Sequence, residues 1–200
     1  LITCHLGNGS SITAIKDGKV IDTSMGLTPL DGFMMSTRSG GLDPSVVTFL
    51  AEKENLSPKE MSDLLNKKSG VIGISGKYSD DRDLTQACAR GEEMAILARD
   101  MQFYQIRKYI GSYVAALDGV DAIVFTGGIG ENAQHLRANV CTHMDYYGVK
   151  IDLDYNKTVW HGAEGRISTP DSKVDVWVIP TNEELMIARD TKAIVDGLKK

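Results

Sequence analysis

Hydrophobic and polar positions along this chain follow two rhythms. Residues 2–6 (ITCHL), 11–15 and 20–23 have the two-residue alternation of half-buried strands. Asp17-Gly18, between the second and third of these, is the dipeptide of a tight hairpin. Compact apolar runs at 121–126 (DAIVFT) and 174–179 (VDVWVI) predict two further strands. A helical rhythm covers 44–54, with Asp43 as N-cap and Pro44 in the first turn. Ser57-Pro58-Lys59-Glu60 is a capping box that opens a second helix, which Gly70 is expected to close. The longest helix predicted, 92–117, repeats apolar residues at Leu97, Met101, Tyr104, Ile110, Val114 and Leu117, so it should cross the middle of the fold or an interface. Further helices are expected from about Glu131, and from Thr181 (N-cap, with Glu184 at the third position) towards Lys200. Gly, Ser and Thr dominate a loop at 26–41, and a second loop is read around 75–83.

Strands that alternate with helices, together with an antiparallel hairpin, imply one α/β domain with a mixed sheet flanked by helices over residues 1–200. Two hundred residues suffice for one large core without staples. At 42% hydrophobic and 24% charged the composition is that of a globular protein, which excludes disordered, collagen-like and coiled-coil chains. The net charge of −5 argues against nucleic acid or a membrane surface as partner. Cys4, Cys88 and Cys141 have no paired spacing, and the four histidines form no HExxH pattern. Reduced, buried thiols in a cytoplasmic protein are expected, with no structural zinc. The chain opens on LITCHLGNGSS, a strand already under way with no initiating Met, and reads as cut from something longer.

Candidate chemistry sits in glycine-bearing turns. In His5-Leu6-Gly7-Asn8-Gly9-Ser10-Ser11, the glycines permit positive φ and close approach of a ligand, although Asn-Gly is equally a hairpin signal. Gly127-Gly128-Ile129-Gly130-Glu131-Asn132-Ala133 imitates a dinucleotide fingerprint, and Asp152 and Asp154 lie near the spacing of a ribose-binding acid. A Rossmann oxidoreductase is therefore one alternative. The sequence 35–40 (MSTRSG) places a single arginine, Arg38, in a flexible loop of small residues, a setting suited to a phosphoryl group. With no GxxxxGK[ST] sequence, a P-loop is excluded. With Glu184 assigned to the cap, Glu183 is left free to hold Mg²⁺ beside a nucleotide.

HLGNGSS, GLTPLDG with MSTRSGGLDP, SGKYSDDRDL, FTGGIGEN and IPTNEELMIARDT stand in the order and approximate spacing of the acetate kinase family, which this chain resembles along its whole length. The resemblance implies a ribonuclease-H-like domain of the sugar kinase–actin superfamily, matching the family's C-terminal, nucleotide-binding domain. It implies that His5, Leu6, Gly7, Asn8 and Gly9 lie along the phosphates of ATP or ADP. Asp80, Asp81 and Arg82 would contact the adenosine, and Gly128, Ile129, Gly130, Glu131 and Asn132 the rest of the nucleotide. Arg38 would stabilise the transferred phosphoryl group, and Glu183 would bind Mg²⁺. The implied reaction is reversible phosphoryl transfer between ATP and acetate, giving acetyl phosphate, in a homodimer.

Two positions depart from the family's pattern: Ser36 stands where glycine is usual, and Gly41 where an acid is. The family's N-terminal half, with its acetate-pocket arginine and a further transition-state histidine, has no counterpart here. The isolated chain is therefore expected to be inactive. Propionate or butyrate kinase is the alternative within the family, and a nucleotide-binding or dimerisation module without activity is the alternative outside enzymology.

Overall fold

The computed structural model describes residues 1–198; residues 199 and 200, where the last helix was expected to end, lie outside the described residues. Strands β1 (Ile2–Leu6), β2 (Ser10–Lys16) and β3 (Lys19–Thr23) form an antiparallel meander. Asp17 and Gly18 both take positive φ, 51° and 74°, as a primed hairpin turn requires. Ile2, Cys4 and Leu6 point into the core from β1, and β3 is an exposed edge.

Helices α1 (Pro44–Lys53), α2 (Pro58–Lys67), α3 (Gly70–Ser75), α4 (Asp81–Ala89) and α5 (Glu93–Leu117) follow. Asp43 caps α1 and Ser57 with Glu60 closes the capping box of α2, as the sequence predicts. Gly70 does not end α2, which stops at Lys67 with Lys68 as its C-cap; it begins α3 with φ 63°. The region read as a loop around 75–83 takes in the last residue of α3 and the start of α4. These short helices lack the length for periodicity to reveal them.

Strand β4 (Ala122–Thr126) is succeeded directly by α6 (Gly127–Asn132), then by α7 (Gln134–Cys141) and α8 (Leu153–Asn156). Helix therefore starts at Gly127, ahead of the expected Glu131. Strands β5 (Gly165–Arg166) and β6 (Asp175–Val178) and helix α9 (Glu183–Leu198) complete the chain. The sheet order is β3-β2-β1-β4-β6-β5, with β1, β4 and β6 parallel and the outer pairs antiparallel.

The main core lies between this sheet and Phe103, Ile106, Ile110, Tyr113 and Leu117 of α5, with Leu136 and Val140 of α7. A second cluster joins Val71, Leu84 and Ala87 to Ala95 and Ala98, whose small side chains let α3 and α4 approach α5. The apolar positions read from α5 divide: Ile110, Val114 and Leu117 are buried, whereas Leu97, Met101 and Tyr104 are exposed, joined by Met94. Helix α9 buries none of its described residues and leaves Leu185, Met186, Ile187, Ile194 and Val195 exposed. No helix among the described residues is long and apolar enough to cross a membrane.

Candidate nucleotide site

Because β1, β4 and β6 run parallel, their carboxyl ends meet at one edge of the sheet, the place where open α/β sheets bind ligands. His5 is paired with Thr126 there. A cleft of about 480 Å³ opens between His5, Gly127, Gly128 and Glu131 on one side and Thr181, Asn182, Glu183 and Glu184 on the other. His5, Gly128, Glu131 and Glu183, expected at a nucleotide from distant parts of the sequence, thus share one cavity.

Gly127 is demanded twice. Its φ is 78°, and a Cβ on it would lie 2.8 Å from the Leu6 carbonyl oxygen and 3.2 Å from His5 Nε2. At Gly128 φ is ordinary and a Cβ would meet nothing within 4 Å, so its missing side chain leaves room in the cleft itself. Ile129 packs against the core and Gly130 is buried. Glu131 accepts the Thr181 N–H at 2.9 Å, and Asn132 donates to the Gly128 carbonyl at 2.9 Å while accepting the His161 N–H at 3.0 Å. The last two side chains are therefore partly occupied with holding the site.

The β1–β2 turn differs from the hairpin expected of Asn-Gly. Neither Gly7 nor Gly9 has positive φ; the Gly7 N–H donates to Ser10 Oγ, which donates back to the Gly7 carbonyl. Leu6 is buried, so only its backbone can face a ligand, while Asn8 is exposed. Gly9 is small for another reason, its contact with Arg38. The loop carrying Arg38 is tied down, not flexible: N–H groups of Val71, Ile72 and Ser69 donate to the carbonyls of Met35, Ser36 and Thr37. Arg38 Nη1 donates to the Pro29 carbonyl at 3.2 Å. Ser36 is buried and donates from Oγ to Asn8 Oδ1 at 3.4 Å. Gly41 sits against Asp31, with 3.2 Å between a Cβ there and Asp31 Oδ1.

Asp80, Asp81 and Arg82 open α4. Asp80 accepts the Arg82 N–H and pairs with its guanidinium at 3.0 Å; the hydrogen bond from Arg82 lowers its carboxyl to about 2. Asp81 faces a narrow gap shared with Ser36, Gln102 and Ile129, which brings this segment against the turn that follows β4. Burial pushes the Asp81 carboxyl up and the His135 imidazole down, while their mutual attraction opposes both shifts.

Asp152 and Asp154 are elsewhere: the first caps α8 and the second pairs with Lys157. With the mixed sheet, this removes the dinucleotide reading. The final helix is capped not by Thr181 but by Asn182, whose Oδ1 accepts the Leu185 N–H at 3.0 Å. Glu183 makes no hydrogen bond or ion pair among the described residues. No three or more His, Cys, Asp or Glu side chains among them stand close enough to hold a metal ion by themselves. One or two carboxylates at a cleft mouth suit a magnesium ion that takes its other oxygens from water and phosphates.

Sequence reasoning missed Arg137. It is fully buried and donates to the carbonyls of Gly130, Glu131, Asn156 and Val159 and to Asn156 Oδ1. Burial lowers its guanidinium to about 10, so it stays charged at neutral pH. The available signal was its place among Ala133, Leu136, Val140 and Cys141 on one helical face, with no acid within a turn.

The family model described as the acetokinase family matches residues 1–189. A curated acetate kinase from Bacteroides thetaiotaomicron is 60% identical over 200 residues, 100% of this chain and 49% of that relative. The crystal structure of Porphyromonas gingivalis acetate kinase superposes with a TM-score of 0.92 at 52% identity, covering 97% of this chain and 48% of that one. A propionate kinase from Francisella tularensis gives a TM-score of 0.86 at 45% identity, covering 94% and 47%. The chain spans about half the length of the curated relatives it matches. With the match running along nearly all of it and the α/β fold shared, this chain belongs to the acetokinase family.

Proposed function

We propose that this chain is the nucleotide-binding, C-terminal domain of an acetate kinase, completing its active site with an N-terminal half. The observation that carries this reading is the convergence of His5, Gly128, Glu131 and Glu183 on one cleft at the carboxyl ends of β1, β4 and β6. The half-length match to acetate kinases supports the two-part arrangement, as does α9, whose exposed apolar residues call for a covering surface.

In this reading the backbone of residues 6–9 and of the Gly128 turn follows the phosphates of ATP. Asp80, Asp81 and Arg82 hold the adenosine side. Glu183 would hold Mg²⁺, which supplies charge neutralisation between the phosphates. Arg38 faces the transferred γ-phosphoryl group and stabilises its equatorial oxygens as the bond to ADP breaks and the bond to the acetate oxygen forms. Such chemistry asks for positioning and charge more than for a proton shuttle. The likeness to a propionate kinase favours a second reading, in which the acceptor is one methylene longer. A pocket gains only ~1–3 kcal/mol of discrimination from such a group.

Homodimerisation through the exposed Met94, Leu97, Met101 and Tyr104 of α5 belongs to the same proposal. Three buried free thiols support a reducing compartment such as the cytoplasm. Calorimetry with millimolar Mg-ADP tests the nucleotide site: saturable heat is expected, and its absence together with an unchanged melting temperature overturns the assignment.

A further inference from the structure

The turn after β4 and the turn after β6 are joined through Thr126, Thr181 and Glu131, and the two threonines have no part in the reaction or in the cap of α9. Thr126 stands at the N-cap of α6 but does not cap it. The first N–H of that helix, on Gly127, donates instead to Thr181 Oγ1 at 3.1 Å, from the other turn. Thr181 Oγ1 also lies 2.6 Å from Thr126 Oγ1, and the Thr181 N–H donates to Glu131 Oε1 at 2.9 Å. Asn182 then caps α9 by accepting the Leu185 N–H, which leaves Glu183 inside that capped turn with its own carboxylate unpartnered among the described residues. Pro180 precedes this knot, so the turn contributes no N–H there and depends on side chains for its hold.

We infer that Thr181 is a positioning residue: its hydroxyl, with Thr126 and Glu131, fixes the Glu183 carboxylate relative to the Gly127–Asn132 turn, so that metal and nucleotide bind as one unit. The inference rests on the nucleotide and metal reading of this cleft. Its physical content is a coupling. A carboxylate held at fixed distance from the phosphate turn makes Mg²⁺ raise nucleotide affinity, and the nucleotide must raise Mg²⁺ affinity by the same factor. Without the hydroxyl the two turns remain attached to separate strands but lose their shared hydrogen bonds. The coupling then falls, while sites made by either turn alone persist.

The test measures ADP affinity by calorimetry with excess Mg²⁺ and with EDTA, for the 200-residue chain and for Thr181→Val and Thr181→Ser. The ratio of the two affinities should fall about five-fold in T181V, the worth of one net hydrogen bond. Affinity in EDTA and the melting temperature should change little, and T181S should restore the ratio. A full ratio in T181V overturns the positioning role and leaves the nucleotide reading intact. A drop of equal size with and without Mg²⁺ also overturns it, since a merely structural hydroxyl acts on both. No binding of ADP by the unsubstituted chain overturns the underlying reading, and this inference with it.

Discussion

A Cβ built on Gly9 would lie 2.9 Å from Nη1 of Arg38, although Gly9 itself has an unexceptional backbone conformation. The glycine is therefore required by the guanidinium beside it, not by the turn. Gly9→Ala should leave stability nearly unchanged, because the crowded atom ends a long side chain. In the full-length kinase it should lower kcat by about 10²-fold, the scale of a misplaced catalytic group. A variant with undiminished kcat would show that Arg38 needs no such fixed seat.

Adjacent glycines in α6 should answer oppositely to the same methyl. Gly128→Ala fills open space in a helix and should raise stability by ~0.5–1 kcal/mol, yet weaken Mg-ADP binding about ten-fold by overpacking the cleft. Gly127→Ala meets the Leu6 backbone at positive φ and should cost ~1–3 kcal/mol. Thermal melts and calorimetry on both variants separate a glycine needed by the fold from one needed by a ligand. Unchanged ADP affinity in G128A would remove that position from the site.

Arg137 ties Gly130 and Glu131 at the end of α6 to the segment at Asn156 and Val159. Arg137→Met leaves several buried carbonyls without donors and should cost at least ~3 kcal/mol by urea denaturation. Lysine should not rescue it, since three donors on one atom cannot span this set. A loss below ~1 kcal/mol would mean that water replaces the guanidinium.

His135 packs against Phe103 and sits 3.4 Å from Thr85 Oγ1, and burial holds its imidazole below the ordinary 6.5. The unfolded chain therefore takes up this proton first as pH falls. The stability concerned is complete above pH 6.5 and is lost as pH drops from there towards the folded value. Asp81 pulls the other way, whereas Arg99 and Arg137 add to the lowering. Asp81→Asn should accordingly shift the His135 titration lower, as read by NMR, and an upward shift would refute the pairing.

Light scattering should give a dimer at micromolar concentration, and Met101→Glu should yield a monomer of unchanged melting temperature. A monomeric unsubstituted chain would dispose of the α5 interface.

Elements long enough to repeat, or punctuated by special residues, were legible in the sequence. The hairpin at Asp17-Gly18, the caps at Asp43 and Ser57, the extent of α5 and the central strands all fall where the pattern puts them. Helices α3, α6 and α8 were not, since four to six residues give no helical period. Glycines read as loop-formers turned out to be helical at Gly128 and Gly130. On α5 the pattern located the apolar residues without saying which face the domain covers; Leu97 and Ile110 look alike in sequence and differ in exposure. For the site, residue types and order pointed to His5, Gly128 and Glu183, whose meeting place depends on sheet order. Arg137 escaped, and Thr181 was read as a cap and not as a bridge, because their partners lie in other elements, which local spacing cannot supply.

Strand β1 is bonded on one side to β2, made just after it, and on the other to β4 from the second half of the chain, with β6 later still. During synthesis the meander must therefore wait, its open edge along Ile2, Thr3 and Cys4, until β4 has emerged more than a hundred residues later. Non-local closure of this kind is slow and leaves that edge open to mispairing. The cleft, walled by the first strand and the last turn, is among the final features to form. A nucleotide cannot hasten assembly of a site that does not yet exist; it should slow unfolding while leaving the refolding rate untouched.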